Sequence, residues 1–233
     1  VASSAGQAND GFDDELDQLR ALISQMGGLA ENAIRESMRC LIERDCVGAQ
    51  RVVEDDKKLD MLEAEAERRI VQLISRRAPT SEDLREALAA LKISSVVERI
   101  GDYAKSIAKR VEVMEDSSEV EPLSLLPEMA RIAEEMVHSA LDAFVERNPA
   151  KACGVCERDR VVDDFYNSIF RALLTFMMEN PQMITRSAHL LFVAKNLERI
   201  GDHATNIAEM VYFAAVGERL GERQRGLDPA VQQ

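Results

Sequence analysis

Glu98-Arg99-Ile100-Gly101-Asp102-Tyr103-Ala104-Lys105-Ser106-Ile107-Ala108 returns 100 residues later as Glu198-Arg199-Ile200-Gly201-Asp202-His203-Ala204-Thr205-Asn206-Ile207-Ala208. Eight of the eleven positions are identical, so the chain carries an internal duplication. Each copy contains Glu-x-x-x-Asp. On a helix, residues four apart are neighbours, and two like charges placed so repel by a few tenths of a kcal/mol, roughly. A cation between them would offset that cost.

The surroundings of both copies read as helix. Apolar residues recur at threes and fours, Trp is absent, and Gly and Pro are sparse in a chain that is 46% apolar. No stretch alternates with the period of a strand. The fold class is therefore all-α, with six long helices. They are expected over about 13–44, 49–76, 82–114, 125–147, 150–178 and 182–217. Ala78-Pro79-Thr80-Ser81 stops one helix and caps the next. Gly27-Gly28 is a weak point in the first helix and a candidate bend. The acidic, Ser-rich stretch 116–124 divides two repeats, 13–115 and 125–217. Residues 1–12 read as a disordered N-terminal tail and 218–233 as a polar C-terminal tail.

The middle segments of the two repeats also match, at an offset of 103. Leu41-Ile42-Glu43-Arg44 lies over Phe144-Val145-Glu146-Arg147, and Asp56-x-x-x-Asp60 over Asp159-x-x-x-Asp163. Three long helices with short connections in each repeat imply two tandem, pseudo-symmetric three-helix bundles.

Each repeat thus owns two acidic pairs on two different helices: Asp56, Asp60, Glu98 and Asp102 in the first, Asp159, Asp163, Glu198 and Asp202 in the second. At about 100° per residue, Asp56, Asp60, Glu63 and Glu67 fall in one stripe beside the apolar face of their helix. Acids at the border of a core can point at acids of a packed neighbour. Gly101 and Gly201, each costing about 1 kcal/mol relative to Ala in mid-helix, leave room for close approach there. Converging carboxylates with little imidazole or thiolate suit hard cations such as Mg, Ca, Mn and iron. The competing reading is that these acids solvate exposed faces, as most do among 42 acidic residues. Four pairs at matching places favour the metal reading. His203 follows Asp202 about 100° around the helix and ranks below the acids as a ligand.

Other chemistries are poorly supported. Cys153-x-x-Cys156 stands without a second pair, and Cys40 and Cys46 do not map onto it, so zinc held by thiolates is the weaker reading. A ferritin-like di-iron site needs two Glu-x-x-His motifs, and Glu135-x-x-His138 is the single instance. No phosphate loop or nucleophile elbow is present. The formal net charge of −13 disfavours nucleic acid and anionic membrane surfaces as partners. No apolar run reaches the length of a membrane span. The expected location is the cytoplasm.

The Glu-Arg-Ile-Gly-Asp stretch followed by Ser-Ile-Ala or Asn-Ile-Ala resembles the signature of the PhoU family of phosphate-uptake regulators. The resemblance runs from about Asp13 to Gly217 and includes the duplication. It implies an elongated all-α protein whose E(D)-x-x-x-D motifs hold multinuclear iron, with Mn, Mg or Zn as alternatives. The matching positions are Asp56, Asp60, Glu98, Asp102, Asp159, Asp163, Glu198 and Asp202. It also implies a non-enzymic, inhibitory role between a phosphate ABC transporter and a membrane sensor histidine kinase, and the long helices suit a homodimer. Ser106 departs from Asn206, and Tyr166 and Phe170 stand where the first repeat has Glu63 and Glu67. The two sites are therefore expected to differ. A carboxylate-bridged metal enzyme and a metal-free helical scaffold are the alternative functions.

Overall fold

The structure, a computed structural model, describes residues 3–76, 80–114 and 124–220, with side chains over 14–75, 80–114 and 124–220. Its helices are α1 (Ser3–Glu43), α2 (Cys46–Arg76), α3 (Ser81–Ala108), α4 (Val111–Met114), α5 (Leu126–Val145), α6 (Pro149–Glu179) and α7 (Ile184–Val216). A 3-10 turn, Pro181–Met183, leads into α7. There is no strand among the described residues.

Local chemistry sets the ends. Thr80 forms a capping box: its Oγ1 accepts from the Asp83 amide at 3.3 Å, and the Asp83 carboxylate accepts from the Thr80 amide at 3.0 Å. Thr80→Ala is expected to cost about 1 kcal/mol, read as a lower midpoint in chemical denaturation. Asn148 caps α6 by accepting from the Lys151 amide at 3.1 Å, with Pro149 in the first turn. Gly217, at φ 82°, closes α7 in the left-handed region. The turns after α1 and α5 match each other: Arg44 (φ 57°) and Arg147 (φ 52°) both take the left-handed conformation.

α1, α2 and α3 pack together as one bundle, and α5, α6 and α7 as the second. The bundles join side by side, α1 against α5 and α3 against α7, while α2 and α6 flank the outside. The apolar faces merge into one hydrophobic core spanning both halves. Its members keep the helical spacing, as in Leu16, Leu19, Ile23, Met26 and Ala30 of α1, all buried.

One polar node crosses the join. Glu86 of α3 is buried and accepts from Arg20 Nε of α1 at 2.6 Å. Arg147, from the turn between α5 and α6, reaches the same carboxylate at 3.0 Å. Burial raises the Glu86 pKa, and the Arg20 guanidinium opposes that shift.

Three details differ from the sequence reading. α1 begins at Ser3 rather than near Asp13, since no proline interrupts the segment. It passes through Gly27-Gly28 without a break. A side chain at Gly27 would collide with Leu141 of α5, so this glycine serves close packing between the bundles. The motif-bearing α3 stops at Ala108 instead of running to Met114, and the short α4 follows. The divider 116–124 falls, except for Ser124, outside the described residues, as does the C-terminal stretch beyond residue 220.

Candidate functional site

Each repeat brings its two acidic helices into contact, α2 with α3 and α6 with α7. Gly101 and Gly201 lie at these contacts. A β-carbon at Gly101 would run into Leu59 and stand 3.5 Å from Asp56 Oδ1. At Gly201 it would press on Val162 at 3.3 Å. What each glycine admits is thus the side chain of the neighbouring helix.

The first acid of each α2 or α6 pair is buried against α3 or α7. Asp56 is 7% exposed and Asp159 is 8% exposed, against the open surface usual for carboxylates, so each requires a partner. Lys105 Nζ bonds Asp56 and also reaches Asp102 at 3.2 Å. At the matching position Thr205 Oγ1 donates to Asp159 at 3.1 Å. One motif position therefore ties the two acidic helices together in both halves, by an ion pair in one and a hydroxyl in the other. The hydrogen bond that Lys105 donates to Asp56 is the main reason its pKa is raised.

The remaining acids of the first half crowd around Glu98. Burial, then the charge of Asp102, then those of Glu63 and Asp60, push its carboxyl up to about 7, and Asp102 shares a hydrogen bond with it. A carboxyl whose pKa is higher in the folded chain than in the unfolded one holds its proton more tightly when folded. Its contribution therefore weakens stability as pH rises from about 4.5 towards 7. In buffer containing a chelator, the melting temperature should fall across that window. Glu98→Gln should flatten the fall in thermal melts at pH 5 and 8.

In the second half Lys195 Nζ holds Glu198, at 2.6 Å from Oε2 and 2.7 Å from Oε1. Lys195 also lies 5.2 Å from the Tyr166 ring centroid. Asp163 and Asp202 are half-buried, whereas Asp60 and Asp102 are exposed. The halves thus differ, as Tyr166 in place of Glu63 leads one to expect. Among the described residues no three carboxylate, imidazole or thiol groups converge on one point as a finished coordination shell. Carboxylate oxygens are the donor type that hard cations take, and the acids here meet in pairs.

Between the halves, Tyr103 and His203 occupy the same motif position and stack on one another, ring centroids 5.4 Å apart and planes at 22°. His203 Nε2 lies 3.3 Å from the Tyr103 hydroxyl. Burial, with the Arg99 and Arg199 charges adding to it, lowers the His203 pKa and favours the neutral ring. His203 thus faces the opposite repeat's motif. Sequence reasoning missed the partners Lys105, Lys195 and Thr205. The usable signal was a lysine three residues from an acid, Asp102-x-x-Lys105 and Lys195-x-x-Glu198.

The Glu135-x-x-His138 pair is engaged elsewhere: Glu135 with Arg158 at 2.6 Å, and His138 Nδ1 with Glu31 of α1 at 3.2 Å. None of the four cysteines forms a disulfide; Cys40 is buried and Cys46, Cys153 and Cys156 are half-buried. No helix among the described residues is long and apolar enough to cross a membrane.

The PhoU domain matches residues 23–111 and again 126–211. A phosphate-specific transport system accessory protein PhoU homolog of Zymomonas mobilis is 51% identical over 227 residues, covering 97% of this chain and 96% of that protein. A homolog of the same description in Caulobacter vibrioides is 45% identical over 93% of this chain and 95% of its own length. The crystal structure of PhoU from Pseudomonas aeruginosa superposes with a TM-score of 0.85 at 34% identity, over 89% of this chain and all of that one. Two matching domains, near-complete coverage and a shared fold together establish that the chain belongs to the PhoU family.

Proposed function

We propose that this protein is an accessory protein of phosphate-specific transport that works as a metal-binding regulatory adaptor. The observation that carries the transport role is the end-to-end match to relatives described as accessory proteins of that system. In this reading the protein docks on a phosphate ABC transporter and on a membrane sensor histidine kinase. It keeps the phosphate-starvation response off when phosphate is plentiful. It performs no catalysis, works at the cytoplasmic face as a homodimer, and binds neither nucleic acid nor the bilayer interior.

The metal reading rests on the crowding of acids around Glu98, which a cation would relieve, and on the repetition of the pairs in both halves. Iron is the preferred ion, with Mn, Mg and Zn as alternatives. Asp60, Glu98 and Asp102 would hold it in the first half, with Asp56 joining if Lys105 turns away. Asp163, Glu198 and Asp202, beside Asp159, would hold it in the second. The bound ion would supply charge neutralisation across two packed helices.

Metal analysis of the purified, tag-free protein tests the first part. Glu98→Ala with Asp102→Ala should remove the metal of one half, and Glu198→Ala with Asp202→Ala that of the other. Metal-free protein that takes up none of Fe, Mn, Mg or Zn on reconstitution would sink this part. Pull-down at low salt with the transporter subunits and the kinase tests the adaptor role, which fails if neither is retained.

A further inference from the structure

The seam where α3 meets α7 has a composition unlike the rest of the chain. Arg85 bonds the Ala214 carbonyl of α7 at 3.5 Å, Tyr103 stacks on His203, and Arg110 meets His189 Nδ1 at 3.1 Å. The two helices therefore run antiparallel along their whole shared length. Stepping by threes and fours from Arg85 to Ser106 on α3, with Arg110 just beyond its end, and from His189 to Phe213 on α7 follows this seam. No Asp or Glu occupies any of these positions, in a chain with 42 acids and a net charge of −13. Five cations do: Arg85, Lys92, Arg99, Arg110 and Arg199.

None of these five forms an ion pair with a described residue, while Arg20, Arg35, Arg39, Arg131, Lys105 and Lys151 all do. Arg110 lies over the Phe192 ring at 4.6 Å and Arg199 over the Tyr103 ring at 5.7 Å. Large apolar side chains on the same seam are open to solvent: Leu88 at 43%, Phe192 at 56% and Phe213 at 38%. A strip of cations and exposed apolar side chains running along two packed helices offers the two chemistries that an acidic amphipathic helix needs.

We propose that the α3–α7 seam is a docking groove for an acidic amphipathic helix of a partner protein. Its apolar face meets Leu88, Phe192 and Phe213, and its carboxylates meet Arg99, Arg199 and their neighbours. An anionic membrane offers the same two chemistries, but it is flat. Being far wider than the strip, it would also meet the acids that dominate a chain of net charge −13, against its own negative charge within a Debye length of about 10 Å. A single helix stays inside the acid-free strip. The groove supplies a partner surface for the adaptor reading and does not depend on the metal.

A synthetic helix of Leu/Glu heptads, fluorescently labelled, is the probe, titrated into the full-length chain at low salt. Binding is expected. Arg99→Glu with Arg199→Glu should weaken it by about tenfold or more, and added salt should weaken it further. Phe192→Ser should also weaken it. Lys57→Glu with Lys58→Glu on the remote face of α2 should leave it unchanged. Circular dichroism checks the fold, and Arg99→Gln with Arg199→Gln replaces the reversal if that variant unfolds. No binding by the wild-type chain, or equal binding by the arginine variants, overturns the proposal. So does arginine-dependent binding to phosphatidylglycerol vesicles without peptide binding. Peptide binding alongside a failed transporter and kinase pull-down would overturn the adaptor role while leaving the groove in place.

Discussion

Replacing Glu86 with alanine is expected to cost about 3–5 kcal/mol of folding stability, the range for breaking a buried ion pair on one side. Its side chain is 11% exposed and that of Arg20 is 9% exposed, so water cannot take over when the carboxylate goes. Arg20 would keep Asp17, but Asp17 lies on its own helix and is 70% exposed, a weak substitute. Arg147 would also lose its anchor, and with it the link between the α5–α6 turn and α3. Guanidinium denaturation of Glu86→Ala and Glu86→Gln separates the causes. Glutamine keeps the volume and one acceptor but loses the charge. If both variants stay within about 1 kcal/mol of wild type, the buried node is not an anchor.

Ile100→Ala and Ile200→Ala are each expected to cost about 2–5 kcal/mol. Both isoleucines are completely buried and hold the same place in the duplicated motif. The more telling expectation concerns cooperativity. Because one core runs through both bundles, either substitution should shift a single transition instead of splitting it. Calorimetry and circular dichroism should give coincident midpoints in both variants. Two separated transitions, with only the mutated half moved, would show that the bundles are independent.

Much of the fold was legible because the duplication supplies its own check. Apolar spacing located six long helices. The two offsets, 100 and 103, placed Asp56 over Asp159 and Gly101 over Gly201, and the structure pairs them accordingly. Spacing carries information about a helix face, and it says nothing about which side chains of another helix reach it. Lys105 therefore went unnoticed as the partner of Asp56, 49 residues away. Gly27 was misread for a related reason. A glycine weakens its own helix, but its purpose lies in Leu141 of a different bundle, which no local pattern reveals. The crowding around Glu98 was partly visible, since Asp60 and Glu63 share a stripe. Its strength came from burial, a property of the packed helices.

The side-by-side join of the bundles bears on how such a chain could have arisen. A lone repeat would leave one flank of α1 and α3 bare, the flank that α5 and α7 now cover. Two copies of one ancestral unit would heal that wound for each other, with Tyr103 and His203 meeting where the copies join. Fusing the two genes would then have freed each half to drift, Lys105 and Thr205 being one visible divergence.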